Sequence, residues 1–133
     1  MLKARHGKEI VVRTSDKIGA LAAFSKIIAE KGVNILAMSA WVEAGEAVTR
    51  LVTDDTLRTT DALRDQGYVP QEQDVVLVDA AHKPGILRHL SDTLANENIN
   101  ISHLFASATI NQDVCLVVLN TSDNGRAIVL LNG

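Results

Sequence analysis

The sequence predicts an α+β fold of two ferredoxin-like units, each with the order strand, helix, strand, strand, helix, strand. Two observations support this prediction. Strand-like and helix-like hydrophobic patterns alternate in that order along residues 1–73, and residues 74–133 repeat them. A βαββαβ order gives an antiparallel sheet with both helices on one face. We therefore predict one unit at residues 1–73 and a second at 74–133, with no linker between them.

The first half shows this order most fully. Residues 8–14 predict a strand, because three consecutive β-branched residues are flanked by polar ones. Residues 19–31 predict a helix, since Leu21, Phe24 and Ile28 form one apolar stripe at helical spacing. The later elements are a hairpin of strands 33–42 and 47–53, a helix at 56–66 and an edge strand at 68–73.

The second half repeats the first at a constant shift of 66 positions. The matched pairs fall at turns and caps: Lys17 and Lys83, Gly19 and Gly85, Gly32 and Asn98, Asn34 and Asn100. The last helix is predicted at 122–131, and too few residues follow it to form a final strand. We therefore expect the second unit to lack its last strand. Its open sheet edge would be covered by a partner, by the N-terminal segment or by strand exchange.

Each half contains a tight turn from its first strand into its first helix. In the second half, a strand of four apolar residues at 75–78 precedes this turn, with Pro84 expected at the first helical position and Gly85 allowing close approach to the backbone. A helix N-terminus presents unbonded N–H groups and a partial positive charge, which can hold a carboxylate. The turn is therefore a candidate anion site, and a purely structural turn explains the pattern equally well.

Composition excludes several classes of protein. The chain has 13 basic and 16 acidic residues and few aromatic ones, which argues against a nucleic-acid partner. A lone cysteine, Cys115, forms neither a disulfide framework nor a zinc site. No stretch reads as a signal peptide or a membrane span, so we expect a cytoplasmic protein that does not bind membranes.

Catalysis has little support in the sequence, and no cofactor is indicated. The four histidines lack the i, i+4 spacing of a helical metal site. Cys115, matched with Thr49 in the repeat, is interpreted as a small core residue. Asp54 and Asp55 are interpreted as charges at a helix start rather than as paired catalytic carboxylates. Trp41 is interpreted as a packing residue or an interface anchor.

The motifs at the turns and after the first helices resemble those of a known family. Residues 16–21 read DKIGAL and residues 32–35 read GVNI, while residues 82–87 read HKPGIL and residues 98–101 read NINI. A βαββαβ unit with these motifs resembles the ACT domain, and the two copies cover nearly the whole chain. The resemblance implies a stand-alone tandem ACT protein with no catalytic domain attached. Ile18 stands where such turns usually have a proline.

The resemblance implies regulatory binding of an amino acid between two ACT units, against the turn of one of them, with the asparagine of the second strand contributing side-chain bonds. When the ligand-binding positions of the ACT domain are placed on this sequence, the resemblance implies two sets of ligand-binding residues. They are Asp16, Lys17, Gly19, Ala20, Leu21 and Asn34 in the first copy, and His82, Lys83, Gly85, Ile86, Leu87 and Asn100 in the second.

The chemistry of these residues suits an amino acid. Helix N–H groups would hold its carboxylate and Asp16 its ammonium group. A neutral His82 replaces Asp16 only partly, so the first turn is favoured for the ammonium contact. Asn34 and Asn100 could instead tie down the turn between helix and strand.

Two functional hypotheses follow. The first is a non-catalytic regulatory protein that binds an amino acid. The second is an interaction or oligomerisation module that regulates a partner enzyme in trans and has no live ligand site. In either case, the small units and the incomplete sheet edge lead us to expect a homodimer.

Overall fold

The fold class is confirmed: the protein is α+β, with two ferredoxin-like units. The computed structural model describes residues 2–108 and 111–133. In these residues the chain forms six strands and four helices, in the order β1 (Leu2–Ser15), α1 (Ala20–Glu30), β2 (Ile35–Glu43), β3 (Glu46–Thr53), α2 (Thr56–Asp65), β4 (Gln71–Ala81), α3 (Ile86–Ala95), β5 (Ile101–Ser107), β6 (Val114–Thr121) and α4 (Asn124–Asn132). Residues 8–73 form one compact unit, called the first unit below, and residues 2–7 with 74–133 form the second unit.

The first unit has β3 at the centre of an antiparallel sheet. Leu51 of β3 lies opposite Ile10 of β1 on one side and Met38 of β2 on the other. The alternate residues of these strands that face the helices make its core. This core consists of Ile10, Val12, Phe24, Ile28, Val33, Leu51 and Leu63. β2 lies at the edge of the sheet.

The second unit repeats this arrangement, with β6 between β4 and β5 and both pairings antiparallel. Its core includes Val76, Val78, Leu90, Leu94 and Leu119. The strand pairing corrects one detail of the predicted repeat. Val12 pairs with Thr49 whereas Val78 pairs with Val117, so Thr49 corresponds to Val117 and not to Cys115. The second hairpin is therefore two residues longer than the first. Cys115 is buried in the core, as predicted.

No strand follows α4 in the described residues, and the N-terminal segment occupies the position of the missing strand. Ala4 is buried in the core of the second unit beside Val76 and Val78. Its backbone N–H donates to Oδ1 of Asn132 at 2.7 Å, and Nδ2 of Asn132 donates to the Ala4 carbonyl at 3.0 Å. Arg5 pairs with Asp79 of β4 at 2.8 Å. The sequence analysis expected the open edge to be covered by a partner, by the N-terminal segment or by strand exchange. In the structure the N-terminal segment covers it.

The apolar stripe of the first helices begins one residue earlier than predicted. Leu21 and Leu87 are 48% and 55% exposed. Phe24 and Ile28 are buried in α1, as are Leu90 and Leu94 in α3. The buried row therefore has the i, i+4, i+8 spacing, which places Ala20 and Ile86 at its start. Ile86 accordingly packs against the core of the second unit.

The segment between α2 and β4 also differs from the prediction. The expected strand at 68–73 begins only at Gln71, as the start of the longer β4. Tyr68 instead packs its ring against Phe24 of α1, with ring centroids 5.8 Å apart. The aromatic contact and the position of Pro70 before the strand account for the later start. None of the described helices is long and apolar enough to cross a membrane.

Candidate functional site

The candidate site in the first unit is a type II β-turn between β1 and α1. The N–H of Ala20 donates to the carbonyl of Lys17 at 3.1 Å, and Gly19 has φ 86° and ψ −1°. A type II turn requires positive φ at its third residue, which glycine adopts without strain. A Cβ at Gly19 would meet nothing within 4 Å, so the backbone conformation and not crowding calls for glycine here.

The second unit has the same turn between β4 and α3. The N–H of Ile86 donates to the carbonyl of Lys83 at 3.4 Å, and Gly85 has φ 86° and ψ −4°. Pro84 therefore occupies the second position of the turn, where its fixed φ is favourable. The expectation that Pro84 would be the first helical residue is wrong, because Gly85 is the N-cap and α3 begins at Ile86.

Both of these helices begin without a side-chain cap from the described residues. In α1 the N–H of Ala23 bonds to the carbonyl of Gly19 at 3.0 Å, which leaves the N–H groups of Leu21 and Ala22 without a helical acceptor. In α3 the N–H of His89 bonds to the carbonyl of Gly85 at 3.0 Å, so the N–H groups of Leu87 and Arg88 likewise have no helical acceptor. The other two helices are capped, α2 by Asp55 and α4 by Asp123. The two turns therefore leave N–H groups available for an anion.

A cavity of about 190 Å³ opens beside the first turn, inside the first unit. Its walls come from the start of α1 and from the helix-facing side of β1, β2 and β3. The lining residues are Thr14, Ala20, Leu21, Phe24, Ala40, Trp41, Val42, Ala47 and Thr49. Two of the predicted ligand-binding residues, Ala20 and Leu21, thus border a cavity smaller than the 300–1,000 Å³ or so typical of drug-sized ligands.

The predicted residues differ in accessibility. Ala20 and Ile86 are half-buried. The exposed ones are Asp16, Lys17, Gly19, Leu21, Asn34, His82, Lys83, Gly85, Leu87 and Asn100. Exposed turn residues are accessible to a ligand from solvent.

Within each unit the structure separates the turn from the asparagine. The first turn follows Ser15, which pairs with Glu46 at the hairpin end of the sheet, whereas Asn34 precedes Ile35 at the opposite end. The 11 residues of α1 lie between them, a rise of roughly 16 Å. The turn residues are therefore brought together, and Asn34 and Asn100 are not brought to the turn of their own unit.

Asn34 has a partner that the sequence analysis did not identify. Its Nδ2 donates to Oδ2 of Asp54 at 2.9 Å, and its backbone N–H donates to Oδ1 of the same carboxylate at 3.0 Å. This contact ties the start of β2 to the segment before α2. At the matching position, the N–H of Asn100 donates to Oγ of Ser122 at 2.9 Å.

A larger groove, of about 670 Å³, lies between the end of α1 and α2 and contains none of the predicted residues. Two of its charged side chains form an ion pair: Arg58 pairs with Asp55 at 3.7 Å, and Arg58 also donates to the backbone carbonyl of Lys31 at 3.1 Å. Across residues 2–108 and 111–133, no group of three or more histidine, cysteine, aspartate or glutamate side chains could hold a metal ion.

The fold is similar to that of several solved structures. A protein of Bacteroides thetaiotaomicron is 24% identical, with a TM-score of 0.89 over 97% of this chain and 88% of that one. The ligand-free regulatory subunit of aspartate kinase from Thermus thermophilus is 14% identical, with a TM-score of 0.70 over 99% of this chain and 95% of that one. E. coli aspartokinase III, in complex with aspartate and ADP in its R-state, is 17% identical, with a TM-score of 0.62 over 98% of this chain and 31% of that one. No family model and no curated protein matches the sequence.

Proposed function

We propose that this chain is a tandem ACT protein that binds a free amino acid and regulates a partner, without catalysis of its own. The observation that carries the proposal is the first turn, where an uncapped helix N-terminus borders a cavity and an exposed carboxylate directly precedes the turn. The fold adds support, because it is shared with the regulatory subunit of aspartate kinase. The proposed setting is the cytoplasm, in keeping with the lone cysteine.

Each group of an amino acid has a counterpart at the first turn. The N–H groups of Leu21 and Ala22 would bind the carboxylate at the positive end of the α1 dipole. Lys17 adds a positive charge beside them. Asp16, which is exposed, would accept the ammonium group. The second turn has His82 in place of Asp16, and its ammonium contact would be weaker.

The experiment is thermal unfolding of the full chain with each of the twenty common amino acids at millimolar concentration. A ligand at 100 times its Kd stabilises the folded state by about 2.7 kcal/mol, which raises Tm by several degrees. Asp16→Asn should weaken the response to the amino acid that binds. Asp65→Asn, at an exposed position on α2, is the matched control and should leave the response unchanged. A flat screen on folded protein would contradict the proposal.

We further propose that the protein is a homodimer, and β2 supports this. This edge strand carries the exposed apolar residues Ile35, Leu36, Met38 and Val42. Exposed apolar edge strands pair readily with another chain. A regulatory effect on a partner enzyme would then require that the amino acid bind two states of the assembly with different affinities.

The same strand favours the second candidate function, an interaction module without a ligand. Leu36→Lys places a charge on the edge and should shift the sedimentation coefficient from dimer to monomer. Leu57→Lys, at an exposed position on α2, is the control. A dimer that fails to respond to any amino acid would favour the interaction module, and a wild-type monomer would contradict the proposed dimer.

A further inference from the structure

The two copies of the unit differ in the residues that surround the cavity. Ala20, at the start of the buried row of α1, corresponds to Ile86 in α3. Thr14 and Thr49 correspond to Ala80 and Val117, as the strand pairings show. The first copy therefore has a smaller residue at the helix start and hydroxyl groups on the strands, where the second copy has only apolar side chains.

The change at the helix start accounts for open space in the first unit. Ile86 is half-buried and packs against the core of the second unit, so its side chain occupies the region between helix start and sheet. Ala20 lacks three of those side-chain carbons and borders the 190 Å³ cavity. The second copy thus shows how this fold fills the same region when no cavity is needed.

Thr49 adds a polar group to the wall of this cavity. It is 8% exposed and lines the cavity, and its hydroxyl has no hydrogen-bond partner in the part of the chain that the structure describes. The oxygen is not enclosed, so water can reach it while the cavity is empty, and a ligand hydroxyl would take the place of that water. A ligand side chain that entered the cavity and carried a hydroxyl would satisfy the Thr49 hydroxyl.

Resting on the proposed function, we propose that the first turn alone is the binding turn and that it selects an amino acid with a small, uncharged side chain, preferably a hydroxyl-bearing one. The side chain enters the cavity, and Ala20 and Thr49 determine the specificity. The carboxylate remains on the N–H groups at the start of α1. The residues that line the cavity include no charged side chain, so a charged ligand side chain would lose its hydration without a partner.

The experiment is isothermal titration of the full chain with threonine, its near-isostere valine, aspartate and lysine. We expect threonine to bind roughly three- to tenfold more tightly than valine, the size of effect that one hydrogen bond produces. Aspartate and lysine should bind at least tenfold more weakly than valine. Thr49→Val, which copies Val117 of the second unit, should abolish the preference for threonine over valine.

The variant Ala20→Ile, which copies Ile86, should fill the cavity and weaken threonine binding at least tenfold. Ala29→Ile makes the same change at an exposed position on the same helix and should bind as the wild type does. The ligand-free unfolding transition shows whether Ala20→Ile is folded. If Ala20→Ile is unfolded, the inference is tested by the ratio of the valine Kd to the threonine Kd in Thr49→Val: a ratio near one supports it, and an unchanged wild-type ratio contradicts it.

Two outcomes would overturn this inference and leave the proposed function intact. One is binding of aspartate or lysine as tightly as of threonine. The other is full binding by folded Ala20→Ile, which would place the amino acid elsewhere. If none of the twenty amino acids binds to folded protein, the proposed function fails and the inference fails with it.

Discussion

Asn34 and Asp54 are joined by two hydrogen bonds, in which both nitrogens of the asparagine donate to the two oxygens of one carboxylate at 2.9 and 3.0 Å. The carbonyl of Asn34 in turn accepts a bond from the backbone N–H of Asp54 at 3.1 Å. The three bonds hold the start of β2 against the start of α2. In the second unit Ser122 takes the place of Asp54, and the side chain of Asn100 makes no such pair there.

The first prediction uses this difference between the copies. Asn34→Ala should lower the free energy of unfolding by about 1 kcal/mol, because one exposed charge-assisted hydrogen bond is lost. Asp54→Ala removes two bonds and should cost about 2 kcal/mol. Asn100→Ala should change stability by less than about 0.5 kcal/mol. Urea denaturation of the four proteins measures these values, and equal losses for Asn34→Ala and Asn100→Ala would contradict the assigned role.

The second prediction concerns Ile18, which occupies the turn position of Pro84. Ile18→Pro should raise the free energy of unfolding by about 0.4–1 kcal/mol, because proline restricts the unfolded chain and suits this position of a type II turn. The Ile18 side chain is fully exposed, so no packing is lost. Pro84→Ile should have the opposite sign. Denaturant unfolding tests both, and a destabilised Ile18→Pro would mean that the first turn differs from the second.

The third prediction concerns an ion pair in the first unit. Glu9 is fully buried, and its carboxylate accepts a hydrogen bond from Nη1 of Arg50 at 2.8 Å. Glu9→Ala should cost about 3–5 kcal/mol, because it leaves the guanidinium of Arg50 largely buried without its charged partner. Glu46→Ala removes an exposed partner of Arg13 at 3.9 Å and should cost less than about 1 kcal/mol. Equal losses of unfolding free energy in the two variants, measured by calorimetry, would contradict the prediction that the buried pair contributes more to stability than the exposed one.

The fourth prediction tests the role of the N-terminal segment. Asn132→Ala should lower the stability of the second unit by roughly 2 kcal/mol, since it breaks both hydrogen bonds to the Ala4 backbone. Hydrogen exchange at the Ala4 amide should accelerate accordingly. Removal of residues 2–7 should further accelerate exchange along β4. Unchanged exchange along β4 after this removal would show that the segment does not complete the sheet.

Most of the fold could be predicted from the sequence because its signals are local. The hydrophobic periods and the left-handed positions at Gly32 and Asn98, with φ 69° and 58°, depend on few neighbours. β1 begins at Leu2, six residues before the predicted strand, and the alternation of Leu2 and Ala4 with polar residues is the sequence signal for this longer strand. The predicted buried face of α1 is wrong by one residue at its start, because the position of Gly19 as N-cap sets which side chains of α1 face the sheet.

The candidate site was less predictable, because its decisive contacts are long-range. Asn34 and Asp54 are 20 residues apart, and neither residue type indicates the pairing. The cavity depends on the difference between Ala20 and Ile86. The accompanying change from Thr49 to Val117 becomes visible only after the strand register shows that the hairpins differ in length.

The bonds between Ala4 and Asn132 have a consequence for synthesis, because the two residues are 128 positions apart. A ribosome adds about 5–20 residues per second, so Ala4 emerges roughly 6–26 s before its partner. The first unit lies wholly between the two residues and is complete long before Asn132 is made. Throughout that interval the backbone groups of Ala4 lack their Asn132 partner, so this edge of the nascent chain is accessible to a chaperone or a neighbouring nascent chain.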